Sequence, residues 1–335
     1  MSVTRPDSLG DLGWAPFFER QPLVEQHPDL IPARVIAIQR THVVLMHATG
    51  IWESPLGGRW FQYEVEGRPA VGDWVLIDAA SGSIEQLLDR RGVLKRMSAG
   101  MGEIQIIASN IDVLFLVTSC NAEFNLRRLE RYLAIAYEAE VTPVVVLTKA
   151  DLAQRPEEFA SQAGTLKPGL AVHVVNALDV ESTAVLSAWC SRGQTIALLG
   201  SSGVGKSTLV NSLMGTQTQL TAEIREDDGK GRHTTTHRSL HLLPGGGMVL
   251  DSPGMRELGI AQAEAGVEAM YDEIEVLGLG CRFADCAHGT EPGCAVQQAI
   301  QESRLDAERL NGYQKLKREE AHNSATLAGR RKRRD

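Results

Sequence analysis

Apolar positions recur along the chain with two different periods, and the change of period divides it. From residue 34 to residue 97 short apolar runs alternate with polar turns, at residues 34–38, 43–46, 60–65 and 72–77. Strands so short and closely spaced predict a small β-barrel, with the OB-fold as the leading architecture. From residue 112 onward the runs become continuous, at residues 112–117, 143–147, 171–175 and Thr195–Leu199. Between them Leu126, Leu129, Leu133 and Ala136 mark one helical face, with Asn125 as N-cap, and residues 182–190 read as helical. Strands alternating with helices predict a parallel sheet that binds ligands at the carboxyl ends of its strands. Residues 238–243 and 248–250, around Pro244-Gly-Gly-Gly247, predict a hairpin. Ahead of the barrel, residues 9–20 carry Leu12, Trp14, Phe17 and Phe18, which either dock on the barrel or form an arm for a partner.

The run Thr195–Leu199 leads into Gly200-Ser201-Ser202-Gly203-Val204-Gly205-Lys206-Ser207, and helical patterning resumes from Thr208 to Met214. Strand, glycine-rich turn and helix, with Gly200, Gly205, Lys206 and Ser207 at these spacings, make a P-loop. The glycines let backbone N–H groups converge on phosphate oxygens, and the helix N-terminus adds a favourable dipole. Lys206 is expected to reach the β- and γ-phosphates and the Ser207 hydroxyl to join a Mg²⁺ shell. A merely flexible Gly/Ser loop would need neither flanking element. The segment Gly200 to Thr208 therefore predicts a nucleoside triphosphate site.

Composition adds a metal and an electrostatic asymmetry. A chain of 335 residues suggests two or three domains, and 43% hydrophobic with 23% charged residues reads as globular and soluble. No apolar run approaches the roughly 18–20 residues of a membrane span, and residues 1–10 lack the apolar core of a signal peptide, so the expected location is the cytoplasm. Cys281, Cys286, His288 and Cys294 form a Cys-x₄-Cys-x-His-x₅-Cys pattern that suits a closed, structural Cys₃His zinc site. Chance clustering or a redox pair is the alternative. Cys120 and Cys190 lie in apolar settings and read as buried. The net charge is −8, yet residues 304–335 hold ten Lys/Arg against five Asp/Glu and end in the basic run 330–334. That arm is either a solvated tail or a phosphate contact. Arg90, Arg91, Lys95 and Arg96 pose the same choice between a solvated segment and an RNA contact.

Three further short motifs sit at predicted strand ends, and together they resemble the motif set of a translation-factor-type GTPase. Thr148-Lys149-Ala150-Asp151 resembles the base-reading Asn-Lys-x-Asp, in which the Asp accepts two hydrogen bonds from guanine N1–H and N2–H₂ that adenine cannot supply. Thr148 replaces the usual Asn, and its hydroxyl can still bridge neighbouring loops, so weaker bracing rather than lost specificity is expected. Asn176-Ala177 resembles the Ser-Ala motif whose backbone contacts the guanine oxygen. Asp251 and Gly254 match the Asp-x-x-Gly of switch II, which implies Asp251 on the Mg²⁺ shell and the Gly254 N–H on the γ-phosphate. Of residues 234–236, Thr235 is expected as the switch I Mg²⁺ ligand. Met255 stands where many GTPases place a water-orienting Gln. The base-reading motifs precede the P-loop instead of following it, a circular permutation that leaves a packed sheet intact.

Permutation, an upstream β-barrel and a downstream Cys/His cluster together resemble the ribosome small-subunit-dependent GTPase A family over residues 34–325. The resemblance implies a slow GTPase that binds the small ribosomal subunit and its rRNA late in maturation, with hydrolysis driving its release. It implies GTP/GDP, Mg²⁺ and one structural Zn²⁺, and it assigns His233 a catalytic role beside Lys206 and Thr235; an exposed loop residue or an RNA contact is the other reading of His233. The alternative function is a nucleotide-gated RNA-binding or chaperone-like module in which hydrolysis is incidental. The expected organisation is a multidomain chain: an extension (1–33), an OB-fold-like barrel (34–98), a circularly permuted α/β P-loop GTPase domain (99–262) and a mainly helical zinc-binding domain with a basic tail (263–335). The protein is expected to be a monomer that binds neither membrane nor DNA.

Overall fold

The computed structural model describes residues 6–39, 42–97, 104–215, 238–251 and 262–331. The barrel region supplies β1 (Ile31–Ile38), β2 (His42–His47), β3 (Gly50–Pro55), β4 (Trp74–Ile77) and β5 (Ile84–Leu87). All pair antiparallel in the order β3-β2-β1-β4-β5. Alternate residues Ala33, Val35, Val43, Leu45, Val75 and Ile77 turn inward around a common core. The expected strand at 60–65 is absent: Gly58–Phe61 is a single helical turn and Val65–Gly67 a 3₁₀ turn. Trp60 plugs the barrel core at 7% exposure while Phe61 and Tyr63 are each 53% exposed. Burial of one indole decides this segment, and six residues of alternation are too few to specify a strand.

The N-terminal segment docks on the barrel. Leu12 and Phe18 are buried, and Trp14 meets Trp74 edge to face at 4.8 Å. Arg34, on the opposite face of β1 from the barrel core, is wholly buried. Its guanidinium donates to the carbonyls of Leu12, Gly72 and Asn110, which ties the extension and two loops to one side chain.

A hairpin of β6 (Val93–Met97) and β7 (Ile104–Ser109) follows, and the expected boundary at 98/99 falls between its two paired strands. The α/β part contains β8 (Val113–Ser119), β9 (Thr142–Thr148), β10 (Ala171–Val174), β11 (Thr195–Leu199), β12 (Arg238–Leu242) and β13 (Met248–Asp251). The order β10-β9-β8-β11-β13 is parallel throughout, with β12 antiparallel beside β13. β12 also pairs with β1 (Ala37↔Ser239, Ile38↔Arg238), so barrel and α/β sheet form one continuous eleven-stranded sheet.

Helix α1 (Leu126–Glu138) carries the expected apolar face, and the Asn125 side chain caps it by accepting from the Arg128 N–H. α2 (Pro156–Gly164) and α3 (Lys206–Leu213) follow, and the helical stretch expected at 182–190 is a short helix Val180–Thr183 running into a 3₁₀ turn Ala184–Trp189. The C-terminal region is helical: α4 (Glu264–Met270), α5 (Asp272–Gly278), α6 (Ala295–Gln301) and α7 (Ala307–Arg331). It packs on α1 at close range. A Cβ on Gly266 would lie 2.0 Å from the Ala134 carbonyl oxygen, so only glycine fits this crossing. Arg131 forks onto Glu319 of α7 at 2.9 and 3.0 Å. Among the described residues no helix is long and apolar enough to cross a membrane.

Candidate nucleotide site and Cys/His cluster

β11 ends at Leu199 and the loop turns over the sheet before α3 begins at Lys206. Gly200 passes so close to β8 that a Cβ would stand 2.2 Å from the Val117 carbonyl oxygen. Gly205, the N-cap of α3, has φ +94, which any side chain would strain. Lys206 Nζ donates to the carbonyls of Gly200 (2.7 Å) and Ser201 (2.6 Å), which draws the ammonium over the mouth of the loop. Ser202, Gly203 and Ser207 are exposed there, with Thr208 half-buried behind them and Val204 buried beneath. N–H groups at a helix N-terminus, a lysine and a hydroxyl are the groups that a phosphate-binding loop requires.

Thr148 to Asp151 lie beside this loop. Thr148 closes β9 in full burial, and its Oγ1 donates toward the carbonyls of Val204 (2.5 Å) and Thr118 (3.1 Å). The hydroxyl thus bridges the Lys-x-Asp loop to the P-loop, as expected of a Thr in the Asn position. Lys149 adopts a left-handed conformation (φ 58) that turns the chain into a 3₁₀ turn over Ala150–Leu152, with Asp151 exposed. Such backbone conformations in a non-glycine residue concentrate at functional sites. The Ala150 N–H points to the Val175 carbonyl at 3.4 Å, which joins this loop to Asn176-Ala177. Asn176 is held by the Ser182 hydroxyl at its N–H (2.8 Å) and receives the Leu178 N–H on its side chain (3.0 Å), and Ala177 is buried.

Asp251 is the last residue of β13, one beyond the Ala197↔Leu250 pair of the parallel ladder, on the other flank of the P-loop strand. The sheet therefore orders the motifs as Asn-Ala, Lys-x-Asp, P-loop and Asp251 across its carboxyl edge. His233, Thr235, Gly254 and Met255 lie outside the described residues.

Cys281, Cys286, His288 and Cys294 converge, their ligand atoms all within 4.8 Å of one another. His288 Nδ1 is 3.6 Å from both the Cys281 and Cys294 sulfurs, and those sulfurs are 3.9 Å apart. A zinc tetrahedron with metal–S about 2.3 Å and metal–N about 2.0 Å has edges of roughly 3.5–3.8 Å. Donor set and spacing both fit zinc. The surrounding loop is braced by Glu291, which accepts from the Ala287 (3.0 Å) and Gly289 (2.7 Å) N–H groups, and by Gln297, which donates to the His288 carbonyl at 2.7 Å. Cys120 and Cys190 are buried, and burial pushes their thiols up to about 11 and about 12 respectively.

The basic cluster at 90–96 is engaged within the fold. Arg90 forks onto the buried Asp73 at 2.7 Å, Arg91 pairs with Asp112, Lys95 with Glu66 at 2.8 Å, and Arg96 donates to Gln105 at 2.9 Å. The sequence also hid Arg128, whose Nη1 donates to the P-loop Ser201 hydroxyl at 2.5 Å. The two residues are 73 positions apart, and no motif links them.

The profile of the RsgA GTPase family matches residues 87–261. The small ribosomal subunit biogenesis GTPase RsgA 2 of Vibrio parahaemolyticus is 48% identical over 330 residues, covering 98% of this chain and 90% of that protein. The small ribosomal subunit biogenesis GTPase RsgA of Mesorhizobium japonicum is 47% identical over 327 residues, covering 97% and 93%. Among solved structures, YjeQ from Thermotoga maritima superposes with a TM-score of 0.63 at 23% identity over 86% of this chain and 97% of that one. YloQ, described as a circularly permuted GTPase, gives 0.61 at 22% identity over 86% and 93%. At that identity the two structures speak to the fold alone.

Proposed function

The chain belongs to the RsgA GTPase family and is a GTPase of small ribosomal subunit biogenesis, and from that premise we propose how its parts divide the work. GTP lies across the carboxyl edge of the sheet. Asp151 reads the guanine edge, Lys149 and the Asn176-Ala177 loop flank the base, and Gly200 to Thr208 hold the phosphates. Ser207, Asp251 and Thr235 take Mg²⁺, which when bound neutralises charge on the phosphate oxygens. Lys206 stabilises the charge that develops on the transferring phosphoryl group. His233 helps place the attacking water, since Met255 has no group to do so. Cys281, Cys286, His288 and Cys294 hold one zinc ion, whose full ligand set leaves no place for a catalytic water and makes it a staple of the C-terminal region.

In this reading the OB-fold-like barrel and the basic run 330–334 contact the rRNA of the subunit, residues 99–262 switch, and the zinc-binding helical region braces the switch. The protein acts as a cytoplasmic monomer, binds the subunit in its GTP form and leaves after hydrolysis. The observation that carries the site assignment is the Thr148–Val204 bond, which locks the base-reading loop to the P-loop in spite of their permuted order. Asp151→Asn tests it directly. The amide should weaken GTP binding and favour xanthosine triphosphate, whose altered edge pairs with it. Unchanged GTP affinity in a titration would remove Asp151 from the base site.

A further inference from the structure

α1 begins beside the phosphate loop. Arg128 stands in its first turn, where the Asn125 side chain fixes the Arg128 N–H at 3.0 Å. From there the Arg128 Nη1 donates to the Ser201 hydroxyl at 2.5 Å, with the Glu123 carboxylate 3.5 Å away as a second partner. The rest of α1 is immobilised from behind. Arg131 is forked by Glu319, Glu138 receives the Gly266 N–H at 2.8 Å, and a Cβ on Gly266 would meet the Ala134 carbonyl oxygen at 2.0 Å. Arg128 is thus a guanidinium presented from a rigid support. Ser201 is gripped at two atoms, its hydroxyl by Arg128 and its carbonyl by Lys206 Nζ at 2.6 Å. Any shift of Ser201 moves the oxygen that holds the Lys206 ammonium over the loop.

We propose that Arg128 is a positioning residue for GTP hydrolysis, acting through Ser201 to fix the P-loop backbone and the Lys206 ammonium in the geometry the reaction needs. The proposal rests on the GTPase assignment and on Lys206 contacting phosphate. Preorganised donors matter most as charge develops, so loosening them slows the chemical step more than it weakens binding. Within the loop Arg128 touches the Ser201 hydroxyl, and the backbone N–H groups and the helix N-terminus stay available to nucleotide without it.

Arg128→Ala, Arg128→Lys, Ser201→Ala and the Arg128→Ala/Ser201→Ala double variant separate the possibilities. Each is measured for single-turnover GTP hydrolysis and, independently, for GDP and GTP affinity by equilibrium titration. Arg128→Ala should slow hydrolysis about tenfold, the scale of one charge-assisted hydrogen bond, while affinity stays within about twofold. Arg128→Lys keeps a donor and should recover much of the rate. Ser201→Ala should match Arg128→Ala, and the double variant should be no slower than either, because both remove one interaction. Ser201→Ala lies outside α1 and keeps the test open should an α1 variant fold poorly. Wild-type turnover in Arg128→Ala, equal losses in rate and affinity, or additive losses in the double variant would overturn the proposal. Lost GTP affinity in Lys206→Ala with wild-type kinetics in Arg128→Ala would leave the phosphate site standing and refute only the role of Arg128.

Discussion

Thr148→Val removes one hydroxyl and keeps the branched shape of a side chain that has no exposed surface. The hydroxyl has a single proton to give, and the shorter of its two contacts, 2.5 Å to the Val204 carbonyl against 3.1 Å to Thr118, identifies the acceptor that loses most. Leaving such an acceptor without its donor in a buried setting costs about 1–3 kcal/mol. Val204 lies inside the P-loop and Thr148 opens the loop proposed to read the base, so losing the bond should uncouple the two halves of the proposed nucleotide site. If the whole cost fell on the nucleotide-bound state, affinity would drop about five- to hundredfold at 1.4 kcal/mol per factor of ten. Part of it falls equally on the free protein, and a drop of about tenfold is expected. Equilibrium titration with GDP and GTP reads it, with Thr148→Ser as the control that keeps the hydroxyl. Wild-type affinity in Thr148→Val, or an equal loss in Thr148→Ser, would refute the bridging role.

Burial pushes the Cys120 and Cys190 thiols up to about 11 and about 12, so at neutral pH both stay protonated and react slowly. Alkylation followed by mass measurement should modify Cys281, Cys286 and Cys294 only after a chelator is added; early labelling of Cys120 or Cys190, or chelator-independent labelling of all three, would contradict the metal assignment. His173 accepts the Trp189 Nε1–H at 2.9 Å, and burial holds its pKa below the usual 6.5. The unfolded chain therefore takes up the proton first, and this contribution to stability, present above pH 6.5, is lost as pH falls through the folded value. Denaturation midpoints at pH 7.5 and 5.5 should differ less in His173→Gln than in the wild type, and an identical pH response would dismiss the effect.

The parallel sheet was legible because its central strands β8 and β11 are buried on both faces. Residues 143–147 are continuously apolar, and the structure extends that run by one residue at each end. The P-loop was legible for a similar reason, since phosphate chemistry dictates glycine, lysine and hydroxyl at fixed spacings. The barrel was less so. β3, Gly50-Ile-Trp-Glu-Ser-Pro55, and β5, Ile84-Glu-Gln-Leu87, carry weak patterns of their own and owe their conformation to pairing with β2 and β4. Trp60 misled because an aromatic in a polar stretch looks like strand alternation until its burial is known. Charge pairing was not legible either: the cations at 90–96 include Arg90, Arg91 and Lys95, which pair with Asp73, Asp112 and Glu66, all distant in sequence. The Thr148–Val204 and Arg128–Ser201 contacts join segments that meet only once the sheet has formed. Conformational context of that kind leaves no trace in local pattern.

The central claim is that this GTPase couples hydrolysis to the small ribosomal subunit, and turnover measured with and without purified subunits tests it most directly. Binding should be followed in parallel with GDP and with a non-hydrolysable GTP analogue, because only differential affinity can gate release. The account predicts slow unassisted turnover, a clear rise on adding subunits, and tighter subunit binding by the GTP form than by the GDP form. Turnover unaffected by subunits, together with equal affinity in the two nucleotide states, would contradict it.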